Sequence, residues 1–273
     1  MLKASNNLIG VFDSGLGGLS VLKKFLSDVP GYHYIYLGDN ARVPYGNKSP
    51  ETIYNYTKEA VEFLFKQNCH LVIIACNTAS AQALRRVQQE WLPKHYPNRR
   101  VLGVIKPLAE AAANSNFKKI GIIGTTATIN SKTYPQEINA LNSKLKVYGQ
   151  AAPLLVPLIE DGRLNNPETK LILKSYLKPL QTKKIDALIL ACTHYPHLQK
   201  MIQTVMGKSV IIPDTGKIIA ASLKNYLSRH SELKITKAKT SCDFYTTDNP
   251  KMFKDLAEKF LNQKIKTVRQ IEL

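Results

Sequence analysis

Short runs in which nearly every position is apolar recur along the chain, separated by longer stretches in which apolar residues return every three or four positions. The runs are LIGVF (8–12), YHYIYLG (32–38), LVIIAC (71–76) and VLGVI (101–105), then KIGIIG (119–124), LKVYG (145–149), ALILAC (187–192) and VIIP (210–213). Apolar runs this short predict strands buried on both faces. The intervening periodicity predicts helices over 17–28, 49–67, 78–92, 107–116, 129–142, 167–183, 197–206, 215–229 and 250–262. The second has the clearest start: Ser49 is placed to cap, Pro50 suits the first turn and Glu51 complements the macrodipole.

The two sets of runs correspond in order, offset by about 110 to 116 residues, and each third run ends in Ala-Cys followed by a threonine and a helix-compatible stretch. Cys76 and Cys192 therefore occupy equivalent places. Strands alternating with helices imply parallel sheets covered on both faces by right-handed crossovers. The expected fold class is α/β: two similar parallel-sheet, Rossmann-like domains related by pseudo-two-fold symmetry, with the site in the cleft between them. Residues 1–98 plus 212–273 are expected to form the first domain and 99–211 the second. No Gly/Ser-rich or Pro-rich linker separates them, so an extensive shared interface is expected.

Composition narrows the class. Of 273 residues, 44% are hydrophobic and 21% charged, which excludes a disordered chain. No apolar run reaches the ~18 residues of a membrane helix and MLKASNNLIG lacks a signal-peptide core, so a cytoplasmic protein with no membrane role is expected. Cys69, Cys76, Cys192 and Cys242 lie far apart with no Cys-x-x-Cys pair, which argues against structural zinc and a disulfide framework. The net charge of +18 keeps nucleic-acid binding in view. Yet Arg85-Arg86, Arg99-Arg100, Lys118-Lys119 and Lys183-Lys184 are scattered pairs without an accompanying aromatic motif, so nucleic-acid binding is not expected as the main function.

Parallel sheets collect function at the carboxyl ends of their strands. Those ends read Asp13-Ser14-Gly15, Gly38-Asp39 and Cys76-Asn77-Thr78 in the first half, and Gly124-Thr125-Thr126 and Cys192-Thr193-His194 in the second. Small hydroxyls, amides, thiols, two carboxylates and one imidazole suit a small zwitterionic or carboxylate ligand. A thiol beside a helix N-terminus is expected to have its pKa drawn down from ~8.5, because the terminal N–H groups favour the anion. One such cysteine is most simply a packing residue; two at equivalent positions would face each other across the cleft. One thiol then removes a proton from a carbon while the other delivers a proton to the opposite face, which is a racemase or epimerase geometry. Gly15-Leu16-Gly17-Gly18 lacks the spacing of a nucleotide loop, and its glycines are expected to let the backbone turn toward a ligand carboxylate.

The segments GVFDSGLGGLSVL (10–22), YLGDNARVPYGNKS (36–49), IIACNTASA (73–81), GIIGTTATINS (121–131), VPLIEDG (156–162), LACTHYPHL (190–198) and FYTTDNP (244–250) resemble the glutamate racemase family, in order and with family-like spacing. The resemblance implies interconversion of L-glutamate and D-glutamate for peptidoglycan synthesis, without pyridoxal phosphate, metal or nucleotide, in a protein that forms a homodimer. It implies that Cys76 and Cys192 are the proton acceptor and donor, exchanging roles with direction. It further implies that Asp13, Ser14, Tyr45, Gly46, Asn77, Thr78, Thr193 and His194 contact substrate, that Asp13 and His194 assist the cysteines, and that Asp39 and Glu160 are acidic helpers. Asp13 near one thiol and His194 near the other are expected to set the two proton affinities apart.

Three positions depart from the family pattern: Ala152, His197 and the Pro213-Asp214-Thr215 segment. His197 is expected near the cleft entrance, where it would alter access. Some relatives are activated by a UDP-linked cell-wall precursor through an N-terminal extension; with 12 residues before Asp13, that regulation is not expected. An aspartate or broader acidic amino-acid racemase remains the nearest alternative, because one methylene is worth only ~1 to 3 kcal/mol of discrimination. A non-catalytic basic protein binding nucleic acid or a nucleic-acid enzyme is the alternative of a different class.

Overall fold

The computed structural model describes residues 8–233 and 239–273. The first half runs β1 (Leu8–Asp13), α1 (Leu19–Asp28), β2 (His33–Gly38), α2 (Pro50–Lys66), β3 (Leu71–Ile74), α3 (Asn77–Gln82), α4 (Leu84–Arg86), α5 (Leu92–His95) and β4 (Arg100–Gly103). The second continues with α6 (Ile105–Ala113), β5 (Lys119–Gly124), α7 (Thr126–Asn130), α8 (Thr133–Leu141), β6 (Lys146–Ala151), α9 (Leu155–Glu160), α10 (Pro167–Thr182), β7 (Ala187–Ala191) and α11 (Gln199–Met206). The chain then returns to the first half as α12 (Thr215–Arg229), β8 (Ser241–Thr246), α13 (Pro250–Leu261) and β9 (Val268–Gln270).

All pairings between strands are parallel. One sheet has the order β4-β3-β1-β2-β8-β9 and the other β6-β5-β7. Beyond β7, Ile211 makes a single parallel bridge to Ala187. The second sheet therefore repeats the order β2-β1-β3-β4 of the first, with Ile211 in the place of β4, and the duplication legible in the sequence is a duplication of topology. VIIP (210–213) stays a bridge rather than a strand because Pro213 has no N–H to extend the ladder. By hydrogen bonding, Arg100–Gly103 pairs with β3 and lies in the first sheet, although the expected division at 98/99 grouped it with the second.

Local chemistry explains where the helices begin and break. Ser49 Oγ accepts from the Thr52 N–H at 3.2 Å, capping α2 ahead of Pro50. The helix expected over 129–142 divides into α7 and α8 at Lys132, which has φ of 57°. A continuous helix would drive the Pro135 ring against the Ser131 carbonyl, whereas in the first turn of α8 the proline is tolerated. The helix expected over 78–92 breaks at Ala83 and widens to a π turn over Val87–Trp91 just before Pro93, whose ring crowds the carbonyl four residues back. Strand β8 had no apolar signature; it is held to β2 partly by polar pairs, His33 Nε2 with Asp243 at 2.9 Å and His33 Nδ1 with Ser241 at 3.1 Å.

The largest buried cluster joins Val11, Tyr36 and Ile73 of the first sheet to Ile122 and Ile189 of the second, through Leu108 and Ala109 of α6 and Tyr134 of α8. The two halves thus share one core. No helix among the described residues is long and apolar enough to cross a membrane.

Gly10 in β1 and Gly121 in β5 stand at equivalent positions, each under a covering side chain. A Cβ at Gly10 would lie 3.0 Å from Leu64 Cδ1 and 3.2 Å from its Cβ. Gly10→Val is expected to destabilise the protein by about 1 to 3 kcal/mol through overpacking against α2, read as a lower urea midpoint at unchanged slope.

Candidate active site

The carboxyl ends of β1, β3 and β7 deliver their following residues into one narrow cleft. Its walls include Ser14, Tyr45, Gly46, Cys76, Asn77 and Thr78 from the first half, and Glu160, Cys192, Thr193 and His194 from the second. Both thiols are buried, Cys76 at 5% and Cys192 at 7% exposure, so a reacting carbon between them would be largely screened from water.

The equivalent cysteines have different neighbours. Cys76 is the N-cap of α3; its Sγ accepts from the Ala79 N–H and its thiol donates to Ser14 Oγ, both at 3.5 Å. The expected lowering of this thiol's pKa is not what the structure shows. Burial pushes the thiol up to about 12, with the negative charge of Asp13 adding to it, and the hydrogen bonds from α3 and Ser14 only partly oppose this. Cys192 instead opens a short 3₁₀ turn at Tyr195–Leu198 and has the His194 ring beside it, Sγ to Nδ1 3.8 Å.

His194 carries a raised pKa and so a positive charge in the cleft. Burial alone would lower its pKa, but the Cys192 sulfur and Glu160, whose Oε1 lies 3.1 Å from Nε2, carry it up to about 10. Asp13 stands one step behind the wall, fully buried, with Oδ2 accepting from the Gly15 N–H at 3.1 Å and Oδ1 from Thr193 Oγ1 at 3.3 Å. Burial raises its pKa, opposed by the charge of His194 and by these hydrogen bonds.

Close approaches around the Asp13 loop explain two glycines. A Cβ at Gly17 would lie 2.3 Å from Thr193 Oγ1 and 2.7 Å from His194 Nδ1, and one at Gly18 would lie 2.5 Å from Asp13 Cβ. Gly17 makes room for the Thr193 loop and Gly18 for the fold-back of its own loop onto Asp13, a packing role in place of the expected turn toward a ligand carboxylate.

Asp39 also lies behind the wall. Its Oδ2 accepts from the Tyr45 hydroxyl and from Arg42 Nε at 2.7 Å, and its Oδ1 from Thr247 Oγ1 at 2.8 Å. It reaches the cleft only through Tyr45. Gly46 packs on Thr125, where a Cβ would meet the threonine Cβ at 2.7 Å.

Sequence reasoning names Thr125 only as part of a strand end, with no assigned contact, and misses Thr128 and Tyr134. The hydroxyls of Thr78, Thr125 and Thr128 form a closed triangle at 2.9, 3.2 and 2.9 Å, and the Tyr134 phenol donates to Asn77 Oδ1 at 2.6 Å. Thr125 was within reach, because it is the repeat equivalent of Ser14. Tyr134 sat inside an ordinary helical pattern and carried no signal. Apolar closure comes from Val43, Pro44, Pro153, Val156 and Pro157.

His197 is not at the cleft entrance. Its ring stacks edge-on against Phe260 at 4.4 Å and lines a separate cavity with Lys23 and Lys259, and burial, aided by the charge of His194, lowers its pKa to about 4. The short turn after His194 aims this side chain away from the substrate space. Among the described residues, no three His, Cys, Asp or Glu side chains converge as a metal site.

The Asp/Glu/Hydantoin racemase family model matches residues 9–222. The chain is 41% identical to a glutamate racemase of Chlorobaculum parvum over 264 residues, covering 96% of this chain and 95% of the relative. Among solved structures, glutamate racemase from Francisella tularensis in complex with D-glutamate superposes with a TM-score of 0.88 at 35% identity, covering 98% of each chain. A glutamate racemase isoform from Bacillus anthracis gives 0.89 at 34% identity, again over 98% of each.

The folded His194 keeps its proton up to about pH 10, against 6.5 for the free imidazole. The stability from this raised pKa is therefore fully present below about pH 6.5 and is lost as the pH rises through about 10. Glu160→Gln removes one of the two supports and is expected to start that alkaline loss at lower pH, read from urea midpoints across this range. An unchanged alkaline limb would show that Glu160 does not hold the proton.

Proposed function

Because the chain belongs to the Asp/Glu/Hydantoin racemase family and is an isomerase, we propose that it interconverts L-glutamate and D-glutamate by a cofactor-independent two-base reaction at Cys76 and Cys192. The observation that carries this reading is that two thiols from equivalent strand ends line one cleft with opposite electrostatic surroundings.

An α-proton beside a carboxylate is very weakly acidic, so the developing carbanion needs donors in a water-poor site. Ser14, Asn77, Thr78, Thr193 and the backbone at Gly46 present small hydroxyl and amide groups there, and the His194 imidazolium supplies positive charge for a dicarboxylate. In one direction, a Cys192 thiolate paired with that imidazolium takes the α-proton. Cys76, held protonated by burial and Asp13, gives its proton to the opposite face. The electron pair left by the first transfer forms the new C–H bond, and the two sulfurs end with their protonation exchanged. The reverse direction uses the same groups with roles switched.

Asp13 acts through Thr193 and by its charge on Cys76, Glu160 through His194, and Asp39 through Tyr45. The D-glutamate formed is the product that the family resemblance links to peptidoglycan synthesis. Glutamate is favoured over aspartate by the glutamate racemases among the nearly full-length relatives. A nucleic-acid role has no comparable support, since the family model and the nearly full-length relatives are racemases.

The test is conversion of L-glutamate in D2O with chelator present and no added pyridoxal phosphate, followed by proton NMR and a chiral assay. D-glutamate carrying α-deuterium should appear while early residual L-glutamate stays protiated; equal early deuteration of both would point to one base. Exchange of L-aspartate without exchange of L-glutamate would overturn the substrate. Cys76→Ser and Cys192→Ser are each expected to lower kcat about 10² to 10⁴-fold with the fold intact, and full activity in either would sink the two-thiol mechanism.

A further inference from the structure

Asn77 stands at the first position of α3 and lines the cleft beside Cys76. Its side chain has two chemically different ends, an accepting oxygen and a donating nitrogen, and only the nitrogen can hydrogen-bond a substrate carboxylate. The oxygen is already taken. Tyr134, from α8 in the other half of the chain and 1% exposed, donates its hydroxyl to Asn77 Oδ1 at 2.6 Å.

The phenol is a dependable donor. Burial raises its pKa, with the charge at Cys192 adding to this, so the proton stays on the oxygen throughout the neutral range. Its position is also fixed from both sides. Thr133 Oγ1 donates to the Ala81 carbonyl at 3.0 Å and Gln82 Nε2 donates to the Ala127 carbonyl at 2.8 Å, tying the start of α8 and the body of α7 to the end of α3. The αL residue Lys132 turns the chain between α7 and α8 so that Tyr134 comes inward rather than continuing the line of α7.

We infer that Tyr134 is a positioning residue: by holding Asn77 Oδ1 it fixes the amide with its N–H end toward the substrate carboxylate. Without the phenol, the amide can turn about its last bond and present its oxygen to that carboxylate, replacing an attraction with a repulsion. The inference rests on the glutamate racemase reading for the identity of the carboxylate, whereas the locked amide is a property of the protein itself.

The experiment compares wild type, Tyr134→Phe, Asn77→Ala and the double variant, with thermal midpoints confirming that each is folded. Tyr134→Phe should raise KM for L-glutamate about tenfold, the equivalent of ~1.4 kcal/mol, with a much smaller change in kcat. In the Asn77→Ala background, the same substitution should change KM no further. An unchanged KM in Tyr134→Phe, or an equal rise in the Asn77→Ala background, overturns the inference, because a phenol that serves packing alone does not act through Asn77. The Asn77 side-chain ¹⁵N amide signals supply a readout that needs no turnover. Wild type should show one well-separated, slowly exchanging pair that shifts and loses protection in Tyr134→Phe, and an unmoved pair overturns the lock. Wild-type protein inert toward glutamate refutes the substrate assignment, and the amide signals still decide the role of Tyr134.

Discussion

A carboxylate and an imidazolium buried where two sheet ends meet govern the arrangement around them. Asp13 is fully buried and His194 nearly so, and neither charge is tolerable there alone. Each is compensated by groups from the other half or from the strand-end loops: Thr193 reaches Asp13 across the cleft, and Glu160 reaches His194 from α9. That compensation requires the loops after β1 and β7 to lie against each other with no side chain between them at Gly17, while Gly18 lets the first loop fold back onto Asp13 itself.

The same constraint turns a duplicated fold into an asymmetric site. Topology places Cys76 and Cys192 at equivalent strand ends, but α3 gives the first thiol a backbone donor, the Ala79 N–H, while the second precedes a 3₁₀ turn and has an imidazolium instead. Asp13 then presses on the Cys76 side and His194 on the Cys192 side. A two-base proton transfer needs this inequality, because two thiols with identical surroundings would have no preferred proton location. Behind both, a second tier of contacts supports the groups that line the cleft: Asp39 on Tyr45, Glu160 on His194, and Tyr134 on Asn77.

Much of the architecture was legible in the apolar runs, because parallel strands covered on both faces must be apolar throughout. The repeat offset gave the equivalence of the two cysteines, and would also have paired Ser14 with Thr125. Strand β8 escaped because His33, Ser241 and Asp243 are polar ladder neighbours rather than an apolar run. VIIP predicts a strand where Pro213 leaves only one bridge, and the pattern over 129–142 predicts one helix where Lys132 in the left-handed region divides it ahead of Pro135.

By itself, then, the sequence determined the periodic pattern, the correspondence of the strands between the two repeats, and the kinds of chemical group at their carboxyl ends. These depend on local periodicity and on residue identity at fixed spacing. Tertiary structure alone decided that Cys76 is held protonated, that Asp39 meets the cleft only through Tyr45, that His197 faces another cavity, and that Tyr134 reaches Asn77. Each of these rests on burial or on contacts between residues far apart in the chain. Desolvation and hydrogen-bond geometry exist only once the two halves have closed on each other.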